Sequence, residues 1–250
     1  MAILEAKGLV KKFGDNIAVN NASFTAEENI VNCLIGPNGS GKTTCFNLIT
    51  GALRCDAGSV LYRGEEMVGK KTNVIVEKGI VRTFQDLKLF SEFTVLQNVL
   101  IAIRGRYGEP VLSGLFFNPK SAKAKVDFDR AEDALRVVGL QDKADVVVSS
   151  LPYGEQKLVS LARLYAAEAD LLLLDEPASG MDQEGYKMLD EVLKRFIAKG
   201  KTILLVEHNI DFVRSVADKV VFLNQGQVLA EGSIDDIMAD KYLTEIYFGF

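Results

Sequence analysis

Gly36-Pro37-Asn38-Gly39-Ser40-Gly41-Lys42-Thr43, followed by Thr44, decides the fold. The spacing is that of the G-x-x-x-x-G-K-[ST] loop, whose glycines let backbone N–H groups turn inward around phosphate oxygens. The flanking residues suit that reading. The apolar run Ile30–Ile35 predicts a buried strand entering the loop, and Lys42–Thr50 predicts a helix leaving it. The helix N-terminus would add its partial positive charge at the same point. Lys42 can reach the outer phosphates, and the Thr43 hydroxyl can ligate Mg²⁺. A ligand-free glycine-rich turn would not explain the strand before and the helix after.

Composition narrows the class. With 250 residues the chain is long enough for a sizeable core in one or two domains. Its 48% hydrophobic and 25% charged residues are those of an ordinary globular protein. A net charge of −5 gives no sign of a nucleic-acid partner. Cys33, Cys45 and Cys55 lack metal-ligand spacing and read as reduced, buried thiols. No apolar run approaches the roughly 18 residues of a membrane span, and the N-terminus has no signal pattern. Any membrane role is expected to come through a partner.

Along the chain, the first 35 residues alternate apolar and polar, with Gly8, Gly14 and Asn20-Asn21 as expected turns between short strands. Gly58–Tyr62 and Gly79–Phe84 predict further strands. Thr94–Ile103 and Asp127–Val138 have helical spacing, and the Gly- and Pro-rich stretch Gly105–Pro119 between them predicts a loop. The βαβ rhythm then returns. Leu171–Leu174 and Ile203–Val206 predict buried strands, and Leu189, Val192, Leu193, Phe196 and Ile197 share one helical face. This alternation predicts an α/β fold with a mainly parallel sheet covered on both faces.

Leu171-Leu-Leu-Leu-Asp-Glu176 is an apolar strand ending in two carboxylates. Asp175 can hold the coordination shell of Mg²⁺, through water. Glu176 can act as general base on an attacking water. His208, the single histidine, follows the next predicted strand, which directs it to the same sheet edge and to the γ-phosphate or the attacking water. Gln85 ends an earlier strand, where an amide can touch Mg²⁺ or water. Ser150-Leu-Pro-Tyr-Gly-Glu-Gln156 opens a helix: Pro152 suits a helix start, and Gly154 permits close backbone approach to a ligand.

These elements, in this order, resemble the ATP-binding subunits of ABC transporters over essentially the whole chain. The resemblance implies a RecA-like P-loop NTPase core with an N-terminal antiparallel β part and an inserted α-helical subdomain. Residues 1–85 and 151–250 would form the nucleotide-binding core, and 86–150 the helical insertion. Phe13 looks like the aromatic that stacks on adenine. Gly36–Thr44 is similar to Walker A, with Asn38, Gly39, Ser40 and Gly41 lining the phosphates. Gln85 is similar to the Q-loop, Leu151–Gln156 to the signature, and Asp175 and Glu176 to Walker B and the catalytic base. Ser179-Gly-Met-Asp182 is similar to the D-loop, and His208 to the switch histidine. Such chains bind ATP and Mg²⁺ and act as head-to-tail dimers on integral membrane permeases at the cytoplasmic face of the membrane. Each ATP lies between one phosphate loop and the other chain's signature, here including Tyr153, Gly154 and Glu155, with Asp182 nearby.

The signature departs from L-S-G-G-Q at Pro152, Tyr153 and Glu155. The missing hydroxyl removes a hydrogen bond to phosphate worth about 1.5–3 kcal/mol. Glu155 is unfavourable near a triphosphate unless it points outward or pairs with a cation. The same L-P-Y-G, with Gly79-Ile-Val-Arg-Thr-Phe-Gln85, Val206-Glu-His-Asn209, the long 105–119 loop and the closing Tyr242–Gly249, is similar to the branched-chain amino-acid importer branch. That implies a second ATPase chain, two permeases and, indirectly, an extracytoplasmic solute-binding protein. Urea and amides are carried by close relatives, and ATPases of lipid or lipopolysaccharide export are the next reading. A soluble ABC ATPase of DNA repair or translation would bring a coiled coil or two cassettes. An unrelated phosphate-loop kinase or GTPase would leave the signature and the histidine unexplained.

Overall fold

A computed structural model of the chain describes residues 1–83, 87–103 and 122–248. Strand Ala2–Phe13 (β1) folds back through Gly14-Asp15 onto Asn16–Glu27 (β2). Val31–Ile35 (β3) leads through the phosphate loop into helix Lys42–Ile49 (α1). Then come Ala57–Tyr62 (β4), Glu65–Glu66 (β5), Thr72–Lys78 (α2) and Ile80–Arg82 (β6). Among the described residues, helices Val95–Ala102 (α3), Ala122–Val138 (α4) and Tyr153–Ala166 (α5) follow. Leu171–Asp175 (β7), Gln183–Ala198 (α6) and Thr202–Val206 (β8) restore the alternation. The chain closes with Ile210–Val216 (α7), Lys219–Asn224 (β9), Gln227–Gly232 (β10), Ile234–Ala239 (α8) and Lys241–Phe248 (α9).

Two compact units result. The first comprises 1–82, 170–176 and 197–250; the second comprises 83–169 and 177–196. This division places 151–169 and 177–196 with the helices, whereas the sequence predicts a helical insertion over 86–150 alone.

The first unit holds both sheets. One is antiparallel, in the order β2-β1-β4-β5; the other runs β10-β9-β3-β8-β7-β6. In the second sheet β6, β7, β8, β3 and β9 are parallel, and only β10 pairs antiparallel. Every residue of β3, β7 and β8 is buried, as expected of parallel strands covered on both faces. Helix α1 contributes Cys45, Phe46, Leu48 and Ile49 to one apolar core with Leu4, Leu9 and Phe24 of the antiparallel sheet and Leu34, Leu204 and Val221 of the parallel one. Asn32 is the polar exception in β3. Its amide nitrogen donates to the carbonyls of Glu27 (2.9 Å) and Ile203 (3.3 Å), and its oxygen accepts from Glu27 N–H (2.8 Å). All of its polar groups are thus met without water.

In the second unit, Thr94 and Gln97 form a reciprocal capping box at the start of α3. Buried Asn98 accepts from Phe90 N–H (2.9 Å) and donates to the carbonyls of Phe90 (3.1 Å) and Thr94 (3.0 Å), stitching the preceding loop to the helix. Tyr165 of α5 stacks on Phe196 of α6 at 5.4 Å.

Several expectations change. The first 27 residues are one long hairpin: of these expected turns only Gly14 turns the chain, whereas Gly8 and Asn21 sit at two neighbouring register shifts within it, both with positive φ. The strand predicted over Gly79–Phe84 is observed as Ile80–Arg82, because Gly79 is the left-handed cap of α2 (φ 116°); Phe84 lies outside the described residues. Helix α4 starts before Asp127, and the 105–119 loop lies outside the described residues. Cys33 and Cys45 are buried, but Cys55 is half-exposed. Phe90 is exposed, whereas Leu87 and Leu89 are half-buried.

Candidate nucleotide site

Strand register builds the site. Leu34 pairs with Val206, and Val206 pairs with Asp175, so β3, β8 and β7 end level with one another. Gly36 comes two residues after Leu34, His208 two residues after Val206, and Glu176 directly after Asp175. Three segments far apart in sequence therefore emerge at one sheet edge, the carboxyl end of parallel strands, where open α/β sheets bind ligands.

The loop itself tolerates no side chain at two glycines. A Cβ on Gly36 (φ 150°) would lie 1.9 Å from the Leu223 carbonyl oxygen, and one on Gly41 (φ 106°) 2.5 Å from that of Ala18. Gly41 is also the residue from which α1 springs, with no side-chain cap on its first N–H groups. Those N–H groups are what an anion can satisfy. Ser40 is buried, while Asn38, Gly39 and Thr43 are exposed and Thr44 half-buried. Lys42 is only 7% exposed and curls back, donating to the carbonyls of Gly36 (2.8 Å) and Pro37 (3.0 Å). Burial pushes its pKa down, against the opposing pull of the Glu176 and Asp175 carboxylates.

Asp175 is 5% exposed and takes the Arg82 guanidinium at 2.5 Å. Arg82 also donates to the Asn47 amide oxygen on α1 (2.5 Å) and lies over the Phe46 ring at 5.4 Å. Glu176 has a left-handed backbone (φ 48°), uncommon for a residue with a Cβ, and its N–H donates to the Val206 carbonyl at 2.9 Å. Its Oε1 is 3.9 Å from His208 Nδ1, and Glu207 Oε2 is equally far from the same nitrogen. Both separations exceed hydrogen-bond length. Burial and the Glu207 carboxylate push the neighbouring Cys33 thiol well up, so it stays neutral.

Phe13 is 48% exposed at the tip of the β1–β2 hairpin, with Lys11 Nζ 5.5 Å from its ring centre. The same hairpin supplies the Ala18 carbonyl that packs on Gly41. Gln85 lies outside the described residues.

The remaining expected residues belong to the second unit. Tyr153, Gly154 and Glu155 form the first turn of α5, and Tyr153 is exposed. Glu155 meets the condition set by its chemistry: Lys143 Nζ donates to both carboxylate oxygens at 2.7 and 2.6 Å. Buried Lys157 donates to the carbonyls of Pro177 (2.9 Å) and Ser179 and lies 5.3 Å from the Tyr153 ring centre. It thereby ties α5 to the turn that carries Asp182. Asp182 accepts from Gly185 N–H (2.8 Å) at the start of α6. Pro152, Gly154, Glu155, Met181, Asp182 and Glu184 are among the residues lining a cleft of about 350 Å³.

Sequence reading did not find Arg82, Asn47, Glu207, Lys143 or Lys157. A signal existed for Arg82, a lone cation in an apolar strand, and for Glu207, an acid directly before the histidine. Lys143 and Lys157 look like ordinary helix and turn residues.

A phosphate loop feeding a helix from a parallel sheet, with acids and a histidine on neighbouring strand ends, defines a phosphate-loop nucleotide-binding protein. The chain belongs to the ABC transporter family, whose model matches residues 19–179, and it is an ATPase of that family. It is 36% identical over 249 residues to the high-affinity branched-chain amino acid transport ATP-binding protein LivG of Salmonella typhimurium, covering 99% of this chain and 98% of the relative. It is 37% identical to the corresponding protein BraF of Pseudomonas aeruginosa, with the same coverage. Among solved structures it resembles the ADP conformation of an ATP-binding cassette of an ABC transporter (TM-score 0.86, 32% identity, all of both chains). It also resembles a nucleotide-free cassette from an ABC transporter (TM-score 0.85, 32% identity, 99% of each). Among the described residues no helix is long and apolar enough to cross a membrane.

Proposed function

We propose that the chain is the ATP-hydrolysing subunit of an importer for branched-chain or other hydrophobic amino acids, or for a related small solute such as urea or an amide. The convergence of Gly36–Thr44, Asp175–Glu176 and His208 on one sheet edge carries the hydrolytic part of this reading. The near full-length likeness to branched-chain amino acid transport ATP-binding proteins carries the transport part.

In this reading ATP lays its β- and γ-phosphates against the first turn of α1, with Phe13 on the adenine. Lys42 leaves its two carbonyl partners for the phosphates. Glu176 takes a proton from the attacking water, and His208 holds the water or the γ-phosphate beside it. The Thr43 hydroxyl and the Asp175 carboxylate are the hard oxygen donors that Mg²⁺ requires, and with Gln85 they would hold it. When bound, Mg²⁺ neutralises charge on the phosphate oxygens. Lys143 offsets the charge of Glu155, so the signature turn of α5, with Tyr153 and Gly154, can face the triphosphate of a second cassette, with Asp182 beside it. ATP-driven closure of that head-to-tail pair would move the permeases at the cytoplasmic face of the membrane, and a solute-binding protein would deliver the solute on the other side.

The test is recovery of the Glu176→Gln chain, held with Mg-ATP, from gently solubilised source membranes. Two polytopic permeases with a second cassette are expected. Recovery with soluble partners only would contradict the transport reading and leave the nucleotide chemistry intact.

A further inference from the structure

Residues 207–209, which carry the histidine, belong to no helix or strand. Their contacts include three side-chain hydrogen bonds. The Glu207 carboxylate accepts from His208 N–H at 3.2 Å. Asn209 caps α7 by accepting from Phe212 N–H at 3.0 Å. The third contact comes from the far end of the chain: the Tyr247 hydroxyl donates to the His208 carbonyl at 2.5 Å. Tyr247 is itself anchored. Its ring sits 6.1 Å from that of Phe222 in β9, the strand beside β3, and 5.3 Å edge-on from Phe248. Burial, together with Cys33 and Glu207, pushes its pKa up to about 12, so it remains a donor throughout the neutral range.

We propose that Tyr247 is a positioning residue for hydrolysis: its hydroxyl fixes the peptide of His208 and thereby holds the imidazole in place beside Glu176. The inference rests on the reading of His208 as part of the hydrolytic site. The geometry explains why the peptide matters. The imidazole nitrogen lies 3.9 Å from Glu176 and 3.9 Å from Glu207, so a small rotation of the 208 backbone changes which carboxylate it faces. Its N–H is held by a neighbouring side chain and its carbonyl by Tyr247. The closing helix α9 thereby supports the active site across the sheet edge, and displacement of that helix would release the histidine.

His208 is the only histidine in the chain, so its ring signals stand alone in a spectrum of the histidine-labelled protein. The full chain is compared as wild type, Tyr247→Phe, His208→Ala and Tyr242→Ala, the last an exposed residue of the same helix. Tyr247→Phe keeps the ring on Phe222 and removes the donor. Its kcat is expected to fall about three- to tenfold, the loss of one hydrogen bond. KM for ATP and ADP affinity should be unchanged, and the His208 ring resonance should shift and broaden. Tyr242→Ala should match wild type in all four. Unchanged kcat and ring resonance in Tyr247→Phe, with His208→Ala inactive, would overturn the positioning role and leave His208 in the site. A fall in kcat with an unmoved ring resonance would also overturn it, as a merely structural effect. Full turnover by His208→Ala would overturn the reading on which the proposal rests.

Discussion

A side chain at this sheet edge is tuned by how little water reaches it. Asp175 remains close to an arginine, and Lys42 is held by carbonyls in a buried place where its own charge is disfavoured. The same dryness acts on the thiols. Cys33 and Cys45 are fully buried and their pKa values are raised, that of Cys45 to about 12, which keeps both as unreactive thiols at neutral and mildly basic pH. Cys55 is half-exposed. Iodoacetamide at pH 8 should therefore label Cys55 in the native chain and all three cysteines after denaturation, as read by peptide mass spectrometry. Native labelling of Cys33 would mean that the β3 core opens.

At the scale of elements, β3 places the phosphate loop, and Asn32 locks β3 to its neighbours. Asn32→Ala would leave Glu27 N–H and the Glu27 and Ile203 carbonyls without that partner. A loss of about 2–3 kcal/mol is expected, seen as a lower urea midpoint at unchanged slope. A midpoint within error of wild type would show that water replaces the amide.

What was legible in the sequence follows from the same locality. Val31–Ile35, Leu171–Asp175 and Thr202–Val206 are continuous apolar runs because parallel strands are buried on both faces, and each declares itself without its neighbours. The long hairpin does not. Gly8 and Asn21 have the positive φ that turns use, so two register shifts inside two 12-residue strands look like two extra turns. The two-residue strand β5 is too short to carry a period, and the closing elements β9, β10 and α7–α9 run only six to eight residues each. In the site, the loop, Glu176 and His208 are visible because each ends a local pattern. The Arg82–Asp175 pair spans 93 residues, and Tyr247 meets His208 across 39, so only the fold reveals them.

For the whole molecule, the central claim is that one edge of one sheet hydrolyses ATP with Glu176 as the base. The two compact units carry different parts of the expected machinery: the loop, acids and histidine in the first, and the signature turn and Asp182 in the second. With a net charge of −5, attraction for a triphosphate would have to arise locally, as from the helix terminus and Lys42, and not from the overall field. The most direct test is steady-state hydrolysis of Mg-ATP by Glu176→Gln, alongside its nucleotide affinity. Removing a general base while keeping the shape of the side chain should lower turnover by about 10²–10⁴-fold with ATP binding retained. Wild-type turnover in that variant would contradict the account.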